Sequence, residues 1–296
     1  MNGWWIQELG LYGWVFIMGL LVITACGLSG SWLVVRGNAM IGDALSHAAL
    51  PGIAIAYLIS GSRSTVAMLL GALCAGLVCT ASITWLQTRR SIKQDAAIGV
   101  SFSALFAFGV VLIALFANRI ELDLHCVLYG EIGFVGFRDV MQLPGGFEAP
   151  VAVVRMAWVT VAAALFCVGG YRALLAGSFD DGLARTTGLG AKMATHGLMA
   201  ILAVVVVAAF EAVGAILVVA MLVLPAASAM MLTKRMPWVL AIAPVFALIS
   251  AAGGLQLGLW LNCSIAAAMV LAGAACFILA MAIGPRGLMM RRRNAG

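Results

Sequence analysis

Apolar runs long enough to cross a bilayer recur along the whole chain, and this feature restricts the fold more than any other. A helix needs about 20 consecutive apolar residues to span roughly 30 Å of hydrocarbon. Only 9% of the residues are charged and 64% are hydrophobic, whereas about 25% of the residues of soluble domains are charged. The sequence therefore predicts an all-α, polytopic transmembrane helix bundle that forms a single domain over residues 1–296.

Hydropathy, together with the positions of Gly, Pro and charged residues, predicts about eight to nine membrane-spanning helices. Nine spans require that the apolar stretch around residues 211–214 folds back on itself within four residues. The predicted spans cover residues 11–35, 38–60, 64–88, 95–117, 151–176, 194–211, 214–232, 238–258 and 263–284.

The distribution of basic residues favours nine spans and predicts the orientation. With the N-terminus outside, thirteen of the 17 Lys and Arg residues lie in the cytoplasm and four lie outside. Cytoplasmic connections of membrane proteins carry such an excess of Lys and Arg. Eight spans would instead place Arg291, Arg292 and Arg293 outside. We therefore expect a multi-pass membrane protein with its N-terminus outside and its C-terminus in the cytoplasm.

An acid and an imidazole, Asp43 and His47, lie together in an otherwise apolar predicted span. An ionisable side chain at membrane depth costs about 2.5 to 3.5 kcal/mol on insertion scales, so such residues usually face the bundle interior and serve an ion or substrate pathway. Their i, i+4 spacing puts both side chains on one helix face. Carboxylate suits manganese, and imidazole suits zinc or iron. We expect a divalent-cation site, completed in a dimer by the same pair from a second chain.

Other interpretations of the ionisable residues remain open. The acid and imidazole can also serve only to fix helix packing, by pairing with each other or with Ser46. Glu211 lies near the external end of its predicted helix, where it either attracts cations or is a half-solvated turn residue. His125 and His196 are expected at the membrane interface and not on a metal. The seven cysteines form no C-x-x-C pair and are expected to be packing residues.

A short amphipathic helix is predicted in the cytoplasmic connection at residues 178–190, which we name the docking segment. Ser178 and Asp181 resemble a capping box at a helix start, and Gly188 is suited to a helix end. Phe179 and Leu183 fall on one face. Such a helix suits the groove of a partner protein, and an ordinary connecting helix on the membrane surface is the alternative.

Six sequence blocks resemble the membrane permeases of manganese, zinc and iron ABC importers. The first block is the most specific, because it holds the acid and the imidazole. The blocks are RGNAMIGDALSHAALPG at 36–52, DAAIG at 95–99, LDLHCVLYGE at 122–131, SFDD at 178–181, ARTTGL at 184–189 and FEAVGAILVVAMLVLPAA at 210–227. Together they extend over nearly the whole chain.

The resemblance implies a type II ABC-importer-like permease in a bacterial inner membrane. Its partners would be two cytoplasmic ATPase subunits, an external metal-binding protein and a second permease, identical or paralogous. The docking segment would be the coupling helix, with Ser178, Phe179, Asp181, Leu183, Arg185 and Gly188 facing the ATPase. The chain contains no G-x-x-x-x-G-K-[ST] phosphate loop, so ATP hydrolysis is expected in a separate partner and no enzyme activity in this chain.

The expected cargo is a divalent transition metal, with manganese favoured over zinc and iron because blocks 122–131 and 210–227 look most like the manganese-type permeases. No permanently bound cofactor and no nucleic acid partner are expected. Residues 118–150 form a net acidic external segment that either attracts cations, docks the binding protein or is a solvated loop. Two alternative classes are an ABC permease for a metal chelate or cobalamin and an ion-coupled secondary transporter.

Overall fold

The computed structural model describes residues 4–61, 65–87, 92–116, 132–137, 140–142, 148–179 and 191–284. These parts of the chain contain ten α-helices, of which α6 is the shortest. The helices are α1 Trp4–Val35, α2 Ile41–Ser60, α3 Thr65–Gln87, α4 Gln94–Leu115, α5 Val151–Gly169, α6 Tyr171–Phe179, α7 Ala191–Val213, α8 Ala215–Leu232, α9 Met236–Leu261 and α10 Ile265–Ile283.

Eight of the described helices are long and apolar enough to cross a membrane, and α8 is a shorter apolar helix. The predicted all-α, polytopic bundle is confirmed. One boundary was wrong, because the span predicted at 151–176 is interrupted. Helix α5 ends at Gly169, and α6 begins at Tyr171 after a break at Gly170.

The predicted reversal near residues 211–214 is confirmed. Gly214 separates α7 from α8 and has a positive φ of 82°. One hydrophobic cluster contains Trp32 from the end of α1, Leu198 from the start of α7, Ala229 from the end of α8 and Met236 from the start of α9. Because the start of α7 and the end of α8 lie in the same cluster, the chain leaves this end of the bundle along α7 and returns along α8.

Four basic residues accompany this cluster: Arg36, Arg172, Lys234 and Arg235. Each lies at or next to a helix terminus that contributes to the cluster. We name this the basic end of the bundle. All four belong to the thirteen that the sequence analysis assigned to one side of the membrane, so the structure groups them as that assignment requires.

Between α4 and α5 the described residues form a 3₁₀ helix, Ile132–Phe137, and two short strands. Strand β1, Val140–Gln142, pairs antiparallel with β2, Glu148–Pro150, so that Met141 lies opposite Ala149. The sequence analysis did not predict these strands. Ile132 is buried against α1 and α10, which attaches the 3₁₀ helix to the end of the bundle opposite the basic end.

Helix α2 is held between its neighbours by residues that lack a bulky side chain. A Cβ on Gly52 would overlap the backbone of Gly71 in α3, and a Cβ on Gly71 would overlap that of Gly52. A Cβ on Gly109 of α4 would lie 2.9 Å from the ring of Pro51. Membrane helices gain no hydrophobic stabilisation from leaving lipid, so such close backbone approach supplies the packing energy. It fixes α2 against both helices.

Candidate metal site

Asp43 and His47 lie one turn apart on α2 and face each other. The Nε2 atom of His47 is 3.5 Å from Oδ1 of Asp43. The side chains are 34% and 39% exposed for His47 and Asp43, respectively. The pair is therefore not sealed within the packing of this single chain, and other donor atoms have room to approach it.

The pair lies near the middle of the bundle, although Asp43 is in the first turn of α2. Leu45, between the two residues in sequence, packs at Gly76 beside Ala203. Gly76 is the central residue of α3, and Ala203 is close to the centre of α7. The carboxylate and the imidazole thus lie partway along helices that are long and apolar enough to cross a membrane, and an ionisable pair at membrane depth needs a compensating partner or ion.

Two aromatic rings of α4 hold the imidazole of His47. The Phe102 ring stacks on it with centroids 5.9 Å apart, and the Phe106 ring meets it edge-on at 5.5 Å. Sequence reasoning missed both phenylalanines. Their i, i+4 spacing on one helix is a signal for a shared face, but it does not indicate what that face contacts.

The Ser46 hydroxyl donates its hydrogen to the carbonyl oxygen of Gly42 at 3.1 Å. It therefore does not donate to Asp43 or His47. The sequence analysis considered that Asp43 and His47 fix helix packing by pairing with each other or with Ser46. Of these pairings, the structure shows the contact between Asp43 and His47. Their separation exceeds the 2.7–3.2 Å of an ordinary N–H···O hydrogen bond. A direct bond between them is therefore weak in this geometry.

The spacing fits a shared metal ion. Ligand bonds of about 2.1 Å put two donor atoms about 3.0 Å apart at a right angle and about 3.4 Å apart at a tetrahedral angle. The 3.5 Å between Nε2 and Oδ1 needs only a small rotamer adjustment to reach these values. Among the described residues no group of three or more His, Cys, Asp and Glu side chains could hold a metal. Asp43 and His47 would therefore form only part of a coordination shell.

The remaining candidate ligands lie apart or outside the described residues. Glu211 is in the last turn of α7, three residues before the break at Gly214. His196 is exposed near the start of α7. His125 lies outside the described residues. Among the side chains that the structure describes, it brings together Asp43 and His47 from the set that the sequence analysis considered.

The predicted helix start at Ser178 was wrong. Ser178 and Phe179 lie in the last turn of α6, which begins at Tyr171, and the Ser178 hydroxyl donates to the carbonyl of Leu174 at 2.6 Å. A serine can bond backward to the fourth preceding carbonyl inside a helix, so the capping-box pattern is not specific to a helix start. The other docking residues lie outside the described part of the chain: Asp181, Leu183, Arg185 and Gly188.

Comparison with known proteins places the chain in a family. The model of the ABC 3 transport family matches residues 10–284. The manganese transport system membrane protein MntD of Bacillus subtilis is 36% identical over 292 residues, covering 96% of this chain and 98% of that protein. The zinc transport system membrane protein TroD of Treponema pallidum is 32% identical and covers 94% of this chain and 75% of its own length.

A solved structure agrees with the fold. PsaBC from Streptococcus pneumoniae in complex with Fab matches with a TM-score of 0.77 and 29% sequence identity over 97% of each chain. The family match extends across nearly every described helix, and the structural match across nearly the whole chain. The chain is a multi-pass membrane protein that belongs to the ABC 3 transport family.

Proposed function

We propose that this chain is the permease subunit of an ABC importer that moves a divalent transition metal into the cytoplasm. The observation that carries the proposal is the Asp43–His47 pair, half-exposed at mid-depth of the bundle with donor atoms at 3.5 Å. Because the chain belongs to a transport family, we take the ion bound by this pair to be the transported one. The ion is cargo, so the site binds it openly and releases it.

A second permease chain completes the site. Two ligands from one chain are too few for four- to six-fold coordination, and a two-fold axis beside α2 would add a second carboxylate and a second imidazole. Partial exposure of both side chains in the single chain supports this arrangement, because a second chain could reach them. The second permease is identical to this chain or a paralogue.

Manganese is the proposed ion, with zinc and iron as the alternatives. MntD of Bacillus subtilis carries manganese in its name, and TroD of Treponema pallidum carries zinc. The ligand types alone do not select among these ions, because first-row metals compete for the same donors and selection depends on geometry and availability. Glu211, at the end of α7, is proposed as a residue that draws cations toward the pathway.

The basic end of the bundle faces the cytoplasm in this proposal, as the positive-inside rule requires. An ATPase pair binds there, against the docking segment, with Ser178, Phe179, Asp181, Leu183, Arg185 and Gly188 as the contact residues. An external binding protein delivers the ion to the opposite end. Transport is then driven by the partner ATPase, since this chain has no phosphate-binding loop of the G-x-x-x-x-G-K-[ST] type.

Uptake by Asp43→Asn tests the proposal. We expect import of manganese and zinc, supplied together and counted separately, to fall by about 10- to 100-fold, a range seen even for residues that only support metal ligands. The amide keeps the shape of the carboxylate and removes its charge. Asp95→Asn is the matched control, because Asp95 is exposed in the first turn of α4 and should leave uptake unchanged.

Near-normal uptake by Asp43→Asn, in a complex that assembles with its ATPase, would exclude Asp43 from the transport pathway. A wild-type complex that imports zinc in preference to manganese would overturn the choice of ion while leaving the site intact. Import by the chain without any ATPase would identify a secondary transporter instead.

A further inference from the structure

The guanidinium of Arg36 joins three helices at the basic end of the bundle. Arg36 follows the last residue of α1, and its Nε donates to Oγ of Ser178 in α6 at 2.9 Å. Its Nη1 donates to Oγ1 of Thr195 in α7 at 3.0 Å, and its Nη2 donates to the carbonyl of Leu174 in α6 at 3.3 Å. One rigid fork thus connects α1 to α6 and α7.

The three acceptors need the shape of an arginine side chain. A guanidinium directs its donors in one plane at fixed angles, whereas the ammonium of lysine is a compact point charge. The Ser178 hydroxyl accepts from Arg36 and itself donates to the carbonyl of Leu174, which also accepts from Arg36. A positive charge beside the carbonyls at the ends of α1 and α6 is also favoured by both helix dipoles.

A short, hydrogen-bonded turn connects Arg36 to the helix that carries the metal ligands. Gly37 has a left-handed φ of 71° and donates its N–H to Val34, while Asn38 donates to Leu33 at 2.9 Å. This pair of bonds is a Schellman motif, which closes α1 firmly. Ile41, the first residue of α2, then donates to Asn38 at 3.0 Å. The turn leaves α2 little freedom to move independently of Arg36.

The distance from this network to the metal ligands is small. Thr195 contacts Arg36, and Ala203, eight residues later on α7, lies at the level of Leu45. Eight residues correspond to about 12 Å along a helix axis. A shift of the guanidinium therefore acts on α2 only two to three helical turns from Asp43 and His47.

We propose that Arg36 is a positioning residue that transmits movement of the docking-segment end of α6 to α2 and so couples ATP-driven motion to the Asp43–His47 site. The inference rests on the proposed function. Ser178 is the first residue of the docking segment and a direct partner of Arg36, so a partner that moves this segment moves the guanidinium. In this proposal Arg36 acts through Ser178, Thr195 and Leu174 and not as a metal ligand.

The test measures metal imported and ATP hydrolysed in the same vesicles, which contain the complete importer with its ATPase and binding protein. Manganese and zinc are supplied together and both are counted. For Arg36→Gln we expect near-normal ATP hydrolysis and import reduced about tenfold, within the 5- to 150-fold range of typical coupling between sites. The ratio of ATP consumed to metal imported should rise by the same factor.

Lys93→Gln is the matched control, because Lys93 is exposed directly before α4, outside the basic end, and should keep the wild-type ratio. Arg36→Lys should also raise the ratio, since one ammonium does not reproduce the fork. If Arg36→Gln does not assemble, the double variant Ser178→Ala, Thr195→Val is measured instead. It removes the two hydroxyl groups that accept hydrogen bonds from Arg36 and keeps the arginine. That variant should raise the ratio in the same direction.

An unchanged ratio in Arg36→Gln, or in the double variant where it is the one that assembles, would overturn the inference. A parallel loss of import and ATP hydrolysis would also overturn the inference, since it would indicate that Arg36 has a purely structural role. If wild-type vesicles import neither manganese nor zinc, and also fail to import ferrous iron supplied in a separate run, the proposed function fails regardless of Arg36. The two failures are thereby distinguished.

Discussion

The orientation of the His47 imidazole depends on α4 as well as on α2. Phe102 stacks on the ring and Phe106 packs against it edge-on, so the Nε2 atom is directed toward Asp43 by contacts from two sides. A metal ligand held in this way loses little rotamer freedom when the ion binds. In the proposed site, the two phenylalanines would thus hold the imidazole in position for coordination.

Phe106→Leu should weaken metal capture without removing a ligand. Aromatic pairs contribute about 0.5–1.5 kcal/mol beyond their buried area, so we expect the apparent KM for manganese uptake to rise about two- to tenfold. Phe108→Leu is the control, because Phe108 is 50% exposed on the same helix. Equal KM values for the two variants would show that the Phe106 ring does not position His47.

At the residue scale, the sequence predicted that Asp43 and His47 lie together but not which residues pack against them. Asp43 and His47 stand out because they are ionisable in an apolar span at i, i+4 spacing. Helix α4 carries several phenylalanines, among them Phe102, Phe106 and Phe108, in an equally apolar span. Which of them faces His47 depends on how α4 is rotated about its axis where it packs against α2. Hydropathy does not predict that rotation, because the whole span is apolar.

Close contact between α2 and α3 depends on two glycines at one crossing. Gly52 and Gly71 approach so closely that either Cβ would overlap the other backbone, and a Cβ on Gly71 would also lie 2.6 Å from Cβ of Ala56. Because α2 carries Asp43 and His47, the proposed metal ligands, this crossing helps to set their position relative to the rest of the bundle.

Gly71→Ala should destabilise the protein, and Gly99→Ala should not. Overpacking costs typically about 1–3 kcal/mol, and at Gly71 it outweighs the roughly 1 kcal/mol by which Ala is favoured in a helix. A Cβ at Gly99 meets nothing within 4 Å, so the second variant gains the helix preference alone. Thermal unfolding of the purified protein in detergent would measure this. A Gly71→Ala melting temperature at or above that of Gly99→Ala would contradict the expected packing.

At the element scale, the sequence predicted the spans but not every interruption. Helix α6 is less apolar than α5 but still contains Leu174 and Leu175, so the apolar stretch does not end sharply at Gly170, although two successive glycines mark the place. The sequence around Ser178 likewise resembles a capping box, although the Ser178 hydroxyl bonds backward to Leu174 inside α6. The reversal at Gly214 was predictable, because charge counting required an additional crossing there.

The whole molecule has two chemically distinct ends, and their membrane sides can be tested. The basic end holds Arg36, Arg172, Lys234 and Arg235, while Cys263 is exposed in the connection between α9 and α10 at the other end. Labelling of intact cells with an impermeant maleimide should decrease in Cys263→Ser. Lys234→Cys should add label only after the cells are permeabilised. The reverse pattern would invert the proposed orientation.

The central claim at this scale is that two permease chains share one metal ion. In the proposed site Asp43 and His47 would supply half of a coordination shell, and both side chains are partly exposed in the single chain. The number of ions bound by an assembled pair of permeases therefore separates a shared site from two independent ones.

Titration of the purified importer with manganese, followed by electron paramagnetic resonance, measures this number most directly. The account predicts one bound ion per two permease chains and loss of that ion in Asp43→Asn, with Asp95→Asn binding as the wild type does. One ion per permease chain, or undiminished binding by Asp43→Asn, would contradict it.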